Sequence, residues 1–176
     1  MKKLAIPVLL VLAVVLFGCN IPRTDVTSTS TSGNWIARLT GGTQEASLLN
    51  FNTAFNVVNG GPLQFTGFSF INHGACFTPG LTNQTYTGTA SLITSSNGQV
   101  TGTFNMTINS VPAGNTLTLD GNLTGVSNGT TTTVGTLSNG VVVGTWNLTG
   151  GQGDASCVGT GNFVMCQGSG TCTPPA

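Results

Sequence analysis

The chain has 176 residues, of which only 5% are charged, whereas an ordinary domain carries about 25%. Four basic and four acidic side chains cannot supply the clustered Lys and Arg that nucleic-acid binding requires, and they exclude electrostatic capture of anionic lipids or acidic substrates for the same reason. Solubility must come from Thr, Ser, Asn and Gln, and the length suits one domain with a real core.

The chain opens on MKKLAIPVLLVLAVVLFGCN: basic Lys2 and Lys3, an apolar run from Ala5 to Phe17 broken only by Pro7, then Gly18 and Cys19. The run is too short to cross a hydrocarbon core, which takes about 20 residues, so it has the dimensions of an export signal. The four residues at its end and just beyond, Leu16-Phe17-Gly18-Cys19, resemble the lipobox of bacterial lipoproteins. The resemblance implies that residues 1–18 are a signal peptide cut from the chain, and that Cys19 carries lipid. The membrane is then a partner through that N-terminal lipid. Two or three acyl chains, at about 0.8 kcal/mol per buried CH₂, hold a protein where a single chain binds only marginally. Asn20 stands where an aspartate favours inner-membrane retention in some members, which implies the outer membrane. Removal of the signal takes both lysines and leaves Arg23 and Arg38 against Asp25, Glu45, Asp120 and Asp154, a net charge of −2.

After Cys19 the segment to residue 33 is rich in Ser and Thr without apolar periodicity, and reads as a flexible tether. Residues 34–176 form a single all-β domain with a loose C-terminal tail. The spacing predicts strands at 34–40, 46–58, 63–71, 85–94, 99–109, 115–126, 130–137, 141–149 and 158–165. The period-two signal is clearest where Val100, Gly102, Phe104, Met106 and Ile108 alternate with Thr101, Thr103, Asn105, Thr107 and Asn109. Asn59-Gly60-Gly61, Asn97-Gly98, Asn128-Gly129 and Asn139-Gly140 supply positive φ for tight hairpins. The uneven spacing of these turns argues against a solenoid. The expected fold is an antiparallel meander of eight or nine strands closed as an up-and-down barrel, with a β-sandwich as the alternative. The Thr/Gly-rich body, with phrases such as Thr101-Gly102-Thr103 and Ser138-Asn139-Gly140-Val141, resembles uncharacterised all-β lipoproteins. Gly33-Asn34-Trp35 resembles the Gly-x-Trp of lipocalins, as does Gly144-Thr145-Trp146, although no arginine follows Arg38 where lipocalins place one.

With Cys19 assigned to lipid, Cys76, Cys157, Cys166 and Cys172 form an even set in an exported chain and read as two disulfides. The preferred pairing is Cys76 with Cys157 and Cys166 with Cys172; Cys157 with Cys166 and Cys76 with Cys172 is the second choice. His73, three residues before Cys76, raises a metal site, but the remaining ligand spacing fits zinc poorly, and a histidine beside a structural cystine is the simpler reading. Neither a metal nor another cofactor is expected. Glu45, Asp120 and Asp154 sit in no catalytic motif, and no serine elbow occurs. Phe65, Phe68 and Phe70 are candidate ligand-binding residues. Strict alternation puts Phe65 with Leu63 on one face and Phe68 with Phe70 on the other, leaving one pair for a small apolar ligand or an envelope protein partner. Together these features predict a non-enzymatic, lipid-anchored envelope domain, with a lipocalin-like carrier as the alternative; a transmembrane barrel and an enzyme are further, less favoured readings.

Overall fold

The computed structural model describes residues 29–31, 33–42, 49–58, 61–112, 114–127, 135–151, 155–168 and 172. The predicted signal, Cys19 and the first part of the tether lie outside the described residues. Nine strands form one sheet: β1 (Thr29–Thr31), β2 (Asn34–Thr40), β3 (Asn50–Val58), β4 (Gln64–Asn72), β5 (Gln84–Thr94), β6 (Gln99–Ser110), β7 (Thr116–Ser127), β8 (Gly135–Thr149) and β9 (Gly159–Gln167). Alternation dictates the path. Every second residue is apolar from Val100 to Ile108 in β6, from Leu117 to Gly125 in β7 and from Val142 to Leu148 in β8, so each strand has one face to hide, and short connections make neighbours antiparallel.

The long strands run β4-β3-β2-β9-β8-β7-β6-β5 across the sheet, with the first of them, β2, paired to the last, β9, from Trp35–Gln167 to Thr40–Asn162. This is the order of an up-and-down barrel, curled from a single sheet and not split into a sandwich. One ladder is missing, because β4 and β5, though successive, share only the bridge of Pro62 with Thr89 and a bond from Leu63 N–H to Gly88 O of 2.9 Å. The cause lies in β4. Thr66 and Ile71 are extra residues relative to β3, at the register shifts beside Ala54/Phe55 and Asn50/Phe51, and such bulges twist a strand away from flat pairing.

Two expectations are corrected. Residues 135–137 and 141–149 are not separate strands joined by an Asn139-Gly140 hairpin, since β8 runs without a break from Gly135 to Thr149; residues 130–134 of the expected strand lie outside the described residues. Asn139, at φ 52°, and Gly140 form a bulge opposite Gly125, where the register passes from Thr124–Val141 to Val126–Ser138. Gln167 satisfies the backbone that the bulge leaves unpaired: its Oε1 accepts from Gly140 N–H at 3.1 Å, and its Nε2 donates to Leu137 O at 2.9 Å. The tether is also shorter than expected, because β1 falls inside it. Ser30 pairs with Val58 of β3 and with Thr136 of β8, so beyond the ends of β2 and β9 one strand replaces two and the barrel narrows.

Close approach of strands in the wall requires glycine at Gly144, opposite Gly121. A Cβ at Gly144 would overlap the Asp120 carbonyl oxygen and stand 2.5 Å from Gly121 Cα, with backbone on every side. Gly144→Ala is therefore expected to lower stability by about 1–3 kcal/mol in a denaturant titration. Gly67→Ala, whose new methyl meets only Ala54 Cβ at 3.5 Å, should leave the midpoint nearly unchanged.

Candidate functional site

The four cysteines expected to pair do so in the preferred way, Cys76 with Cys157 and Cys166 with Cys172. The first bridge joins the β4–β5 connection to the β8–β9 connection, at the barrel end opposite β1. The second pins Cys172, buried at 2% exposure, so the tail is anchored at that residue. Around Cys76 one buried amide organises three connections. Asn115 Nδ2 donates to Cys76 O at 2.7 Å, Asn115 Oδ1 accepts from Gly151 N–H at 2.7 Å, and Asn115 N–H donates to Ser110 Oγ at 2.8 Å. Nothing in the sequence around Asn115 distinguishes it from the other asparagines.

His73 lies at this same end, its Nδ1 2.7 Å from Gly74 O and its ring 6.5 Å from that of Phe70. The Cys76 sulfur is committed to its disulfide and is not available as a thiolate ligand. Among the described residues no three His, Cys, Asp or Glu side chains gather around one point. Asp120 stands exposed midway along β7 and accepts from Asn105 Nδ2 at 2.5 Å, far along the wall from the loop that carries His73. Glu45 and Asp154, like Cys19, lie outside the described residues.

The phenylalanines depart from the expected phase. The bulge at Thr66 shifts the alternation of β4 by one residue, so that Phe65, Phe68 and Phe70 all turn inward and pack on the core. Phe65 meets Phe55 edge-on at 6.0 Å, Phe68 stacks on Phe51 at 5.0 Å, and Phe70 lies 5.0 Å from Phe77. Across the missing ladder, Tyr86 of β5 comes within 5.6 Å of Phe65 and 4.5 Å of Phe68. Aromatic rings therefore close from inside the seam that backbone hydrogen bonds leave open. Of the three, Phe68, at 8% exposure, also borders an open groove over β2, β3 and β4.

The barrel interior is filled. Trp35, Phe51, Phe55, Met106, Leu119 and Val142 have no accessible surface, and Trp146 and Phe163 have 1% each. A cavity large enough for a ligand would expose its lining to a water-sized sphere, so these side chains line none. The two Gly-x-Trp sequences place a tryptophan toward each end of the core. Trp146 donates from Nε1 to Thr40 O at 3.0 Å, while Trp35 stacks on Phe55 at 5.4 Å and its Nε1 has no partner.

The outer face carries a concavity that the sequence pattern did not show. An open groove of about 450 Å³ crosses β2, β3 and β4, with Gly168 at its rim. Its floor consists of two cross-strand rows, Asn34–Ala54–Gly67 and Ile36–Asn52–Ser69, brought into line by the β2–β3 and β3–β4 registers. Ala54 and Gly67 are the shortest side chains there, which makes the hollow. Comparison with protein-family models, with curated proteins and with solved structures found no match.

The Cys76–Cys157 bridge closes a loop of sequence separation 81 and the Cys166–Cys172 bridge one of 6. On the chain-entropy relation, replacing the first pair by alanine should cost about 4.5 kcal/mol and the second about 2 kcal/mol in chemical denaturation. Burial among phenyl rings raises the phenol pKa of Tyr86. The folded state thus holds the proton more tightly than the unfolded chain, and the stability so contributed is present below the ordinary tyrosine pKa of about 10 and lost as pH rises through the higher folded value. Since the chain has one tyrosine, phenolate absorbance reads this site alone and should develop at higher pH than in the denatured protein.

Proposed function

We propose that this chain is a lipid-anchored, non-catalytic β domain of a bacterial cell envelope, acting as a binding or structural module. The observation that carries the reading is the accounting of its five cysteines. Four are joined as Cys76–Cys157 and Cys166–Cys172, which leaves Cys19 alone, at the end of the Leu16-Phe17-Gly18-Cys19 sequence where lipoproteins are acylated. The position of β1 adds to it. From Cys19 to Thr29 the chain can extend at most roughly 35 Å, so lipid at Cys19 would hold the β1 end of the barrel toward the bilayer, with the Cys76–Cys157 end away from it.

The polar outer wall supports a barrel held beside a membrane over one within it. Thr101, Thr103, Asn122 and Thr145 face out, and most large apolar side chains face in, with Ile71, Ile93, Val126 and Val143 as scattered exposed exceptions, unlike the continuous apolar band of a lipid-facing barrel. The filled interior likewise favours recognition on the outside over carriage of an apolar molecule within. The separation of His73 from Asp120 supports binding over acid–base chemistry.

The anchor is tested by metabolic labelling with palmitate and by detergent phase partitioning. The wild-type chain should incorporate label and enter the detergent phase, whereas Cys19→Ser should remain unlabelled and aqueous. Equal labelling of the two would overturn the reading.

A further inference from the structure

We propose that the outer groove over β2, β3 and β4 is a binding site for a neutral glycan. The inference rests on the binding role proposed above but not on the anchor.

The floor of the groove gathers exposed hydrogen-bonding groups that the wall itself does not engage. Some polar side chains of the wall bond to neighbours, as Asn105 does to Asp120 and Asn109 to Thr116, and others such as Asn122 do not. What sets the groove apart is the concavity, in which the amides of Asn34 and Asn52 and the hydroxyl of Ser69, none of them bonded among the described residues, converge. All three are exposed, and they lie in the two adjacent rows that make the floor. Between them stand the aliphatic side chains of Ile36 and Ala54, both half-buried. Donors and acceptors thus alternate with small apolar surfaces over a span of three strands, about 10 Å at ordinary sheet spacing.

The ligand class follows from charge and shape. The groove is lined by no acid and no base, so an ionic ligand would give up water there without a counter-charge. An apolar ligand would strand the two amides and the hydroxyl. A pyranose ring presents hydroxyls around its edge and C–H groups on its faces, and so matches amides flanking Ile36 and Ala54. An extended peptide matches less well, because the backbone groups of β2 and β3 are already committed to their ladders, and a strand laid across the face could add none. A volume of about 450 Å³ is within the range of small-ligand sites and accommodates a short oligosaccharide segment.

The test is binding of the purified full chain, in a detergent without a sugar head group, to an array of neutral and acidic oligosaccharides and to a library of extended peptides. Neutral oligosaccharides should be retained in preference to acidic ones, for the wild type and for Cys19→Ser alike, which separates this site from the anchor. Asn34→Ala combined with Asn52→Ala should weaken the retained oligosaccharide by about tenfold or more. Gly67→Val, which fills the hollow from a position with room for a methyl group, should abolish it at unchanged thermal midpoint. Asn122→Ala, on the wall away from the groove, should bind as the wild type does. Retention of no neutral oligosaccharide, retention unaffected by Gly67→Val, or retention of peptides instead would overturn the proposal.

Discussion

Six residue pairs between β2 and β9, from Trp35–Gln167 to Thr40–Asn162, join the two ends of the meander, and the rest of the molecule depends on that closure. Without it the three strands β2 to β4 and the five strands β5 to β9 would be separate sheets, each exposing an apolar face and its own edges. With it the faces become an interior, and the remaining pair of edges, β4 and β5, meet on the far side. They do not form a ladder, because the two bulges of β4 turn its backbone out of register. Phe65, Phe68 and Tyr86 close that line by ring contact instead. A seam held by side chains suits a bulged strand, since ring packing tolerates a backbone spacing that hydrogen bonds do not.

The chain secures the barrel almost without charge. Where other domains use ion pairs, this one uses amides bonded to backbone. Asn115 fixes three connections at the end away from β1, and Gln167 supplies both bonds missing at the β8 bulge. Such contacts carry no long-range repulsion and change little with salt. Neutral hydrogen bonds and two disulfides supply directionality, and the aromatic and aliphatic core supplies the bulk of the stabilisation.

A filled, closed core has a functional consequence as well. Among the described residues the core side chains leave no room between them for a guest, which favours recognition on the wall or at the ends. The wall is mostly a convex array of Thr and Asn, and a hollow lies where β2, β3 and β4 bring Ala54 and Gly67 together between amides.

Much of this was legible in the residues. Alternation identified β2, β6 and β7 nearly to the residue, because one buried face imposes period two whatever the tertiary fold. The parity of the cysteines pointed to two disulfides but left their connectivity open, and the structure contains the preferred one of the possible pairings. Alternation could not show where it would break. Asn139-Gly140 has the positive-φ chemistry of a hairpin and of a bulge equally, and only Gln167 and Trp35, packed against Gly140, make it a bulge within β8. Thr66 is an ordinary strand residue by type, yet its bulge puts Phe65, Phe68 and Phe70 on one face and leaves β4 unpaired to β5. The groove is invisible in the sequence for a related reason, since Asn34, Asn52 and Ser69 come together only through register. The sequence by itself determined the all-β class, the inward and outward faces and the candidate lipid-bearing cysteine, because these are local patterns of residue type. Which strands close the barrel, where it stays open and which outward residues become neighbours were decided by the tertiary structure, because register depends on the partner strand as much as on the strand itself.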